Sequence, residues 1–572
     1  MTRSNAVILY AHDGYDVGRA QLMGRHMAGA GFLRAAVSER VPGPLHCYAT
    51  TRGEAEGFAR AAQQVDPTVE CRWINGANMG DIAAASGVLY IPDPQLAKFA
   101  RGRLRTGMAG YSLCGVTHTT ANPGTMQLMA DALTAPVAPW DALICTSAAV
   151  LQTVQALHEA EADMLRWRFG ADARITAPQL PVIPLGVHCD DFVLADGERE
   201  RSREALGLES DEVVALFVGR LSFSSKQHPL AMYEGLQAAA ERTGKRVTLV
   251  MCGWYPNPTV TPAFTEAPAR FCPDVRVIVV DGREPEGRRR AWAAADLFVT
   301  LSDNIQETFG LTPVEAMAAG LPCVVTDWNG YRDTVRDGVD GFRVRTWMPT
   351  AGVVGEAIAR ENETEETDYS AYVWTAALGT SVDMRELTER LSALISDPDL
   401  RRAMGEAGRA RARAIFDWPH VIRAYQELWG DLNQRRAAGA RDQADWIGAA
   451  PKCTPARADP FALHAHYASN HIASDTVVRL YDGASVAAFA ARKADLLFRG
   501  ARINETIAAA ALERLAAGPA SVAELAAAAG LGAQPMLYLA GILAKMKLVA
   551  FEPPPSSPPA RVHPSFDANT GR

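Results

Sequence analysis

Two glutamates with seven residues between them, Glu307 and Glu315, lie in the run ETFGLTPVEAMAAGLPCVV. The run reads as loop, helix, then buried strand. Thr312 is the expected N-cap and Pro313 the first helical residue. Gly320 and Pro322 close the helix, and Cys323-Val324-Val325 begins a strand. One acid then lies before the helix mouth and the other one turn inside it, with the N–H groups of Gly310, Leu311 and Thr312 between. Such a mouth can hold an anion in the middle and hydroxyls on two sides. The plainer reading is a Thr312/Glu315 capping box beside a solvated loop acid. Earlier in the chain, Val218-Gly219-Arg220-Leu221 ends an apolar run, and Lys226 follows six residues after Arg220. At a strand's carboxyl end such a pair could neutralise a diphosphate; taken alone it is a surface basic pair. His118 ends YSLCGVTH, where a histidine is either structural or turned toward a crevice. Gly14 and Gly18 mark a turn after the first strand, where backbone could approach a phosphate or sugar; the pattern is not G-x-G-x-x-G.

These residues need a scaffold that brings strand ends together. Strand-like runs alternate with helical stretches from residue 5 to about 430. The expected strands of the first half are Ala6–Tyr10, Leu45–Thr50, Val88–Ile91, Tyr111–His118, Leu143–Thr146 and Val182–Leu185. Those of the second are Val213–Val218, Val247–Cys252, Val275–Val280, Leu297–Leu301, Cys323–Thr326 and Phe342–Val344. The alternation predicts an α/β chain of two doubly wound, Rossmann-like units, with ligands beyond the carboxyl ends of the strands. The expected divisions are 1–187, then 188–412 with an acidic insertion at 349–382, then a crossover helix at 413–432. A linker with a helix over Thr476–Leu497 fills 433–500. Helix–helix–helix–strand over 501–552 outlines a small winged-helix-like module, with Ser521 and Glu524 as a capping box. A Pro-rich tail, 553–572, is expected to be disordered.

The 572 residues carry a net charge of −8, which argues against nucleic acid as a general partner. The start of the chain is not expected to be a signal peptide, its apolar run being only Ala6–Tyr10, and no stretch approaches the ~18 apolar residues of a spanning helix. Nine scattered cysteines without a C-x-x-C pair fit a reduced, cytoplasmic protein. His464, His466 and His471 lack metal-ligand spacing, so no metal site is expected. Lys98, Arg101, Arg103 and Arg105 read as a solvated basic face, or as a contact with an anionic membrane or lipid-linked acceptor at the inner membrane face. Only Lys545 and Lys547 are basic at the end of the third helix of 501–552, so a protein partner or homodimer contact is expected there rather than DNA.

Taken in order, these landmarks resemble the family 4 retaining glycosyltransferases of the GT-B fold. The landmarks are the loop near Gly18, His118, the I-P-x-G-V hinge at Ile183–Val187, Gly219-Arg220-Leu221 with Lys226, the E-x7-E pair, and Phe416-Asp417-Trp418. The resemblance spans about residues 5–432. It implies a nucleotide-diphosphate sugar bound between two domains, with Arg220, Lys226 and the Gly310–Thr312 amides on the diphosphate. It implies Glu315 on the ribose, Glu307 on the donor sugar's 3-hydroxyl, and His118 near its 6-position. It further implies retaining hexosyl transfer to a glycan or lipid-linked acceptor by front-face attack, without a bound metal or cofactor. A phosphorylase of the same fold and a catalytically silent nucleotide-sugar-binding scaffold are the alternatives. Many members place the lysine five residues after the arginine and follow it with Gly; here the spacing is six and Gln227 follows.

Overall fold

The computed structural model describes residues 3–15, 24–501 and 503–552. Gly18 and the tail 553–572 lie outside the described residues. The chain divides into two compact units, the first ending at Thr454 and the second beginning at Pro455.

The first unit holds two six-stranded parallel sheets. One contains β1 (Val7–Leu9), β2 (Leu45–Tyr48), β3 (Cys71–Ile74), β4 (Val88–Ile91), β5 (Ser112–Val116) and β6 (Ala142–Ile144), in the order β3-β2-β1-β4-β5-β6. The other contains β7 (Val213–Val218), β8 (Val247–Gly253), β9 (Arg276–Asp281), β10 (Leu297–Thr300), β11 (Cys323–Thr326) and β12 (Gly341–Val344), in the order β12-β11-β10-β7-β8-β9. Continuous apolar runs such as VVALFV in β7, buried at every position, demand cover on both faces, which the intervening helices supply. Strand order reverses between β1 and β4 and between β7 and β10. A crevice opens at such a switch point, because the connections leave it in opposite directions.

Two strand expectations are corrected. Val182–Leu185 is not a strand. Pro181 and Pro184 remove ladder donors, leaving one bridge from Val182 to Cys145. The sixth strand is Cys71–Ile74, an edge strand whose Arg72 and Trp73 face solvent, so its sequence lacks the apolar signature of the others. Arg103 is not part of a solvated face either. It is fully buried, and its guanidinium grips Asp141 through two bonds of 2.6 and 2.8 Å. Asp141 in turn accepts the N–H groups of Leu113 and Ala138, so the pair ties β5 to the start of β6.

The crossover helix runs from Trp418 to Asp442, ten residues beyond the expected end. Its Trp418, Tyr425 and Trp429 pack around Phe32 of the first sheet's domain, so its apolar face is bought up by that core rather than by its own. The ring of Trp418 fills the space that a side chain at Gly31 or Gly186 would need. Backbone bonds of 2.8 Å from Val187 N–H to Phe416 and 3.1 Å from Trp418 N–H to Val187 fasten this helix to the interdomain hinge.

The 349–382 segment is a helical hairpin. Its helices Val353–Glu363 and Tyr369–Leu378 are bracketed by the antiparallel pair β13 (Thr346–Trp347) and β14 (Ser381–Val382).

The second unit contains β15 (Val477–Leu480), β16 (Ala520–Ser521) and β17 (Val549–Phe551) as an antiparallel sheet in the order β16-β15-β17. Four helices, Val486–Ala494, Glu505–Ala516, Val522–Ala528 and Ala533–Lys545, pack around Phe489, Leu512, Leu525 and Leu539. The helix expected over Thr476–Leu497 is therefore corrected at its start. Val477–Leu480 pairs with segments some forty and seventy residues away in sequence, and such long-range pairing overrides local preference. Ser521 and Glu524 form the expected capping box.

Candidate active site

Arg220 leaves the end of β7 and Glu307 lies in the loop after β10, so both stand at the switch point of the second sheet. Between the two sheets a cavity of about 760 Å³ opens, and His118, Arg220, Lys226, Glu307, the Gly310–Thr312 stretch and Glu315 all line it.

Its floor is made of glycine. Gly219, Gly253 and Gly282 follow or end β7, β8 and β9, and all three line the cavity. A side chain on Gly253 would collide with the carbonyl oxygen of Gly219, and one on Gly282 would meet Gly253 backbone at 3.1 Å. Three strand ends thus approach closely enough to present bare backbone to a ligand.

The loops after β7 and β10 are laced together. Gln227, almost fully buried, accepts the Thr300 hydroxyl at 3.0 Å and the Leu301 N–H at 2.6 Å. Ser302 donates to the Lys226 carbonyl at 3.1 Å, and Asn304 donates to the Ser224 carbonyl at 2.9 Å. Gln227, where the family pattern has glycine, is therefore a brace that fixes Lys226 to the end of β10. Asp303 receives the His228 N–H at 3.3 Å, and burial pushes its carboxyl up to about 7 against that bond.

Lys226 Nζ lies 2.7 Å from Glu307 Oε2. Burial alone would raise the Glu307 carboxyl. The Lys226 charge and hydrogen bond, with the Thr308 and Phe309 N–H groups, outweigh it and hold the group below the usual carboxylate range. Tyr331 donates to the same oxygen at 3.4 Å. Desolvation lowers the Arg220 guanidinium from its ordinary value, opposed by nearby Tyr369 and Glu307.

The helix mouth differs from expectation. The helix spans Leu311–Ala319, and Gly310, at φ 93°, is its N-cap. Thr312 is already the second helical residue, so it neither caps the helix nor forms a box with Glu315. A glycine in the left-handed region turns the chain without needing a side-chain cap, and the Tyr331 ring lies where a Gly310 side chain would go. The first N–H groups therefore carry no side-chain cap and face the cavity. Glu315, freed from capping, lines the cavity. Burial pushes its carboxyl up to about 7, against the opposing charges of Arg288 and Lys226. The Gly320 C-cap at φ 79° is as the sequence predicts.

His118 follows β5 across the cleft, and its carbonyl accepts the Thr308 hydroxyl at 3.1 Å. Ser147 reaches across to the Thr308 carbonyl at 2.7 Å. The loop bearing Glu307 is thus bonded to the first domain at two points.

Arg288 and Tyr369 are among the cavity residues that sequence reasoning missed. Arg288 stands on the helix Pro285–Ala294 after β9; the run of three arginines at 288–290 was its only signal. Tyr369 comes from the hairpin read as an insertion, which forms a wall of the cavity. Nothing in the local sequence marks it.

Two parallel sheets with their strand ends turned to one polar cleft define the GT-B architecture. The sequence profile described as "Glycosyl transferases group 1" matches residues 198–360. The D-inositol 3-phosphate glycosyltransferase of Xylanimonas cellulosilytica is 30% identical over 332 residues, covering 55% of this chain and 67% of that protein. The chain belongs to the glycosyl transferases group 1 family. The D-inositol 3-phosphate glycosyltransferase of Nocardia farcinica is 29% identical, with 49% and 54% of the two chains covered. The alpha-maltose-1-phosphate synthase of Mycolicibacterium smegmatis is 28% identical, with 50% and 62% covered. The chain thus spans between about half and two thirds of the length of these relatives. Among solved structures, Anabaena Alr3699/HepE in complex with UDP-glucose aligns at 17% identity and a TM-score of 0.46, covering 76% of this chain and 99% of that one.

Proposed function

We propose that the protein moves a hexosyl group from a nucleotide-diphosphate sugar to a glycan or lipid-linked acceptor, with retention at the anomeric carbon. The observation that carries this reading is the convergence, in one cavity, of a helix mouth without a side-chain cap with Arg220, Lys226 and Arg288, flanked by two acids whose carboxyls are shifted in opposite directions.

A diphosphate fits between Arg220 and the Leu311 and Thr312 N–H groups, where guanidinium and helix dipole both favour an anion. Glu315, one turn inside the helix and beside the glycine floor, would accept the ribose hydroxyls. Glu307, charged and held by Lys226, would accept the sugar's 3-hydroxyl. His118 would meet the sugar from the other domain. As the bond from the anomeric carbon to phosphate breaks, the new bond to the acceptor oxygen forms on the same face, and the departing phosphate oxygen takes the acceptor's proton. The protein contributes position and charge rather than a nucleophile. Three cations supply the positive charge that the departing diphosphate needs, so the reading calls for no resident metal.

The relatives' names refer to phosphorylated compounds, and the acceptor of this chain is to be found by experiment. Nine free cysteines, seven of them buried, support a reducing, cytoplasmic setting. Among the described residues no single helix is long and apolar enough to cross a membrane.

The test is a thermal-shift screen of UDP-, GDP- and ADP-sugars followed by turnover of the donor that binds. Glu307→Ala should abolish turnover while leaving binding of the nucleotide alone intact. Undiminished turnover in that variant overturns the reading.

A further inference from the structure

The hairpin at 349–382 lines the cavity with Tyr369, Ser370 and Val373. The Tyr369 hydroxyl donates to Gln306 Oε1 at 2.8 Å, and Gln306 is the residue immediately before Glu307. Thr119, which immediately follows His118, lines the same cavity as Tyr369. Arg220 lies close enough to act on the phenol electrostatically. The hydroxyl thus bonds the neighbour of Glu307, one of the residues expected to flank the transferred sugar, and it does so from a third element.

The hairpin is anchored to deliver that oxygen. Asp368 caps the second helix through the Ala371 N–H at 2.8 Å, fixing the turn from which Tyr369 emerges. One turn later Val373 is fully buried. Trp374 stacks on His228, with planes 12° apart and centroids 5.9 Å apart, and packs on Phe223 at 4.9 Å. Phe223 and His228 bracket Lys226 in sequence, so the hairpin rests on the loop that carries the lysine. Gln306 completes the frame: its Nε2 donates to the Ser225 carbonyl at 3.2 Å, and its N–H donates to Asn304 Oδ1 at 2.9 Å.

We propose that Tyr369 is a positioning residue for sugar transfer: its hydroxyl, carried into the cleft by the hairpin, holds the loop bearing Glu307 in place through Gln306. The proposal rests on the glycosyl-transfer reading above. Tyr369 acts through Gln306. Removing its hydroxyl loosens the stretch just before Glu307, which penalises the transition state more than the bound nucleotide.

The experiment uses Tyr369→Phe, which keeps the ring and its packing, and Gln306→Ala, singly and together in the full chain. Turnover is measured with whichever of UDP-glucose, GDP-mannose or ADP-glucose the parent consumes, with water or sugar as acceptor. Each single variant should lower kcat by about 10–100-fold, the scale of small misplacements, with donor KM and nucleotide affinity within about twofold. The double variant should lose no more than the worse single one, because both remove the same link. A parental kcat in Tyr369→Phe, or losses that multiply in the double variant, overturns the proposal. A packing role alone would lower thermal stability without this split between kcat and KM. Hydrogen exchange supplies a readout that needs no turnover. Tyr369→Phe should speed exchange of amides 304–310 while leaving those of β7 unchanged, and parental exchange at 304–310 overturns the proposal. A parent that consumes no donor but shows this change separates failure of the functional reading from failure of the positioning role.

Discussion

Lys226 and Glu307 come from loops after different strands, 81 residues apart in sequence, and meet at 2.7 Å inside the cleft. The pair keeps an acid charged at the place where a sugar hydroxyl is expected, and the acid holds the lysine ready beside the diphosphate site. Each group needs the other. Lys226→Ala should leave a buried carboxylate without its cation, at a cost of about 1–3 kcal/mol for a pair this shielded. Turnover should fall by at least about 100-fold, on the scale of a lost transition-state donor. Thermal unfolding and donor turnover check both. Because the Glu307 carboxyl is held below its ordinary range, its stabilising contribution is full at neutral pH and is lost as pH falls through that depressed value. In Lys226→Ala that acid-side loss should shrink, because burial then raises the carboxyl with less to oppose it.

Glu315 titrates in the opposite sense. Burial raises its carboxyl from 4.5 to about 7, so between those values the folded protein holds a proton that the unfolded chain releases. This group's contribution to stability is full below about pH 4.5 and declines as pH rises through 7. Asp303, raised to about 7 by burial, adds a second slope of the same sign. Unfolding measured from pH 5 to 8 without ligand should show a decline that flattens in Glu315→Gln and, separately, in Asp303→Asn. A parental slope in both variants would refute the assignment.

The glycine floor predicts a sharp steric effect. Gly253→Ala would drive a methyl group into the Gly219 carbonyl, forcing the ends of β7 and β8 apart. Overpacking of this kind costs about 1–3 kcal/mol. Nucleotide affinity, read by calorimetry, should drop about 10-fold or more while the far-ultraviolet spectrum stays unchanged. Ala at Gly244, with open space around it, would carry backbone strain at φ 63° but no effect on nucleotide affinity, which makes it the matched control.

Trp418 should matter to the fold and not to the chemistry. Its ring is wedged over Gly31 and Gly186 where the crossover helix begins. Trp418→Ala should cost about 3–5 kcal/mol, the range for a buried tryptophan. The loss should be visible in denaturant midpoints, while donor turnover at low temperature stays within a few-fold of parent.

Much of the second domain was legible in the chain. Its strands are long apolar runs, β7 and β11 fall where periodicity puts them, and the charged residues that line the cavity stand in the loops after strand ends or in the helix that follows. The first domain was less legible. The edge strand Cys71–Ile74 is half polar, and Val182–Leu185 has strand composition without the donors to form one. At the helix mouth, T-x-x-E looked like a capping box, and Gly310 took that role because its backbone could turn where Thr312 could not.

The sequence by itself determined the alternation of strand and helix, and hence two parallel sheets with their carboxyl ends as the binding face. It also determined which acids and cations stand at those ends, because position after a strand is a local property. Tertiary structure alone decided which of those charges meet. The Lys226–Glu307 pair depends on β7 and β10 being neighbours. The unequal ionisation of Glu307 and Glu315 depends on how much water each carboxyl loses and which cation it keeps. Tyr369 reaches the cleft because a hairpin without strand signal packs Trp374 onto His228 and Phe223. Proximity across 63 residues, from Tyr369 to Gln306, is a property of packing, and no pattern along the chain encodes it.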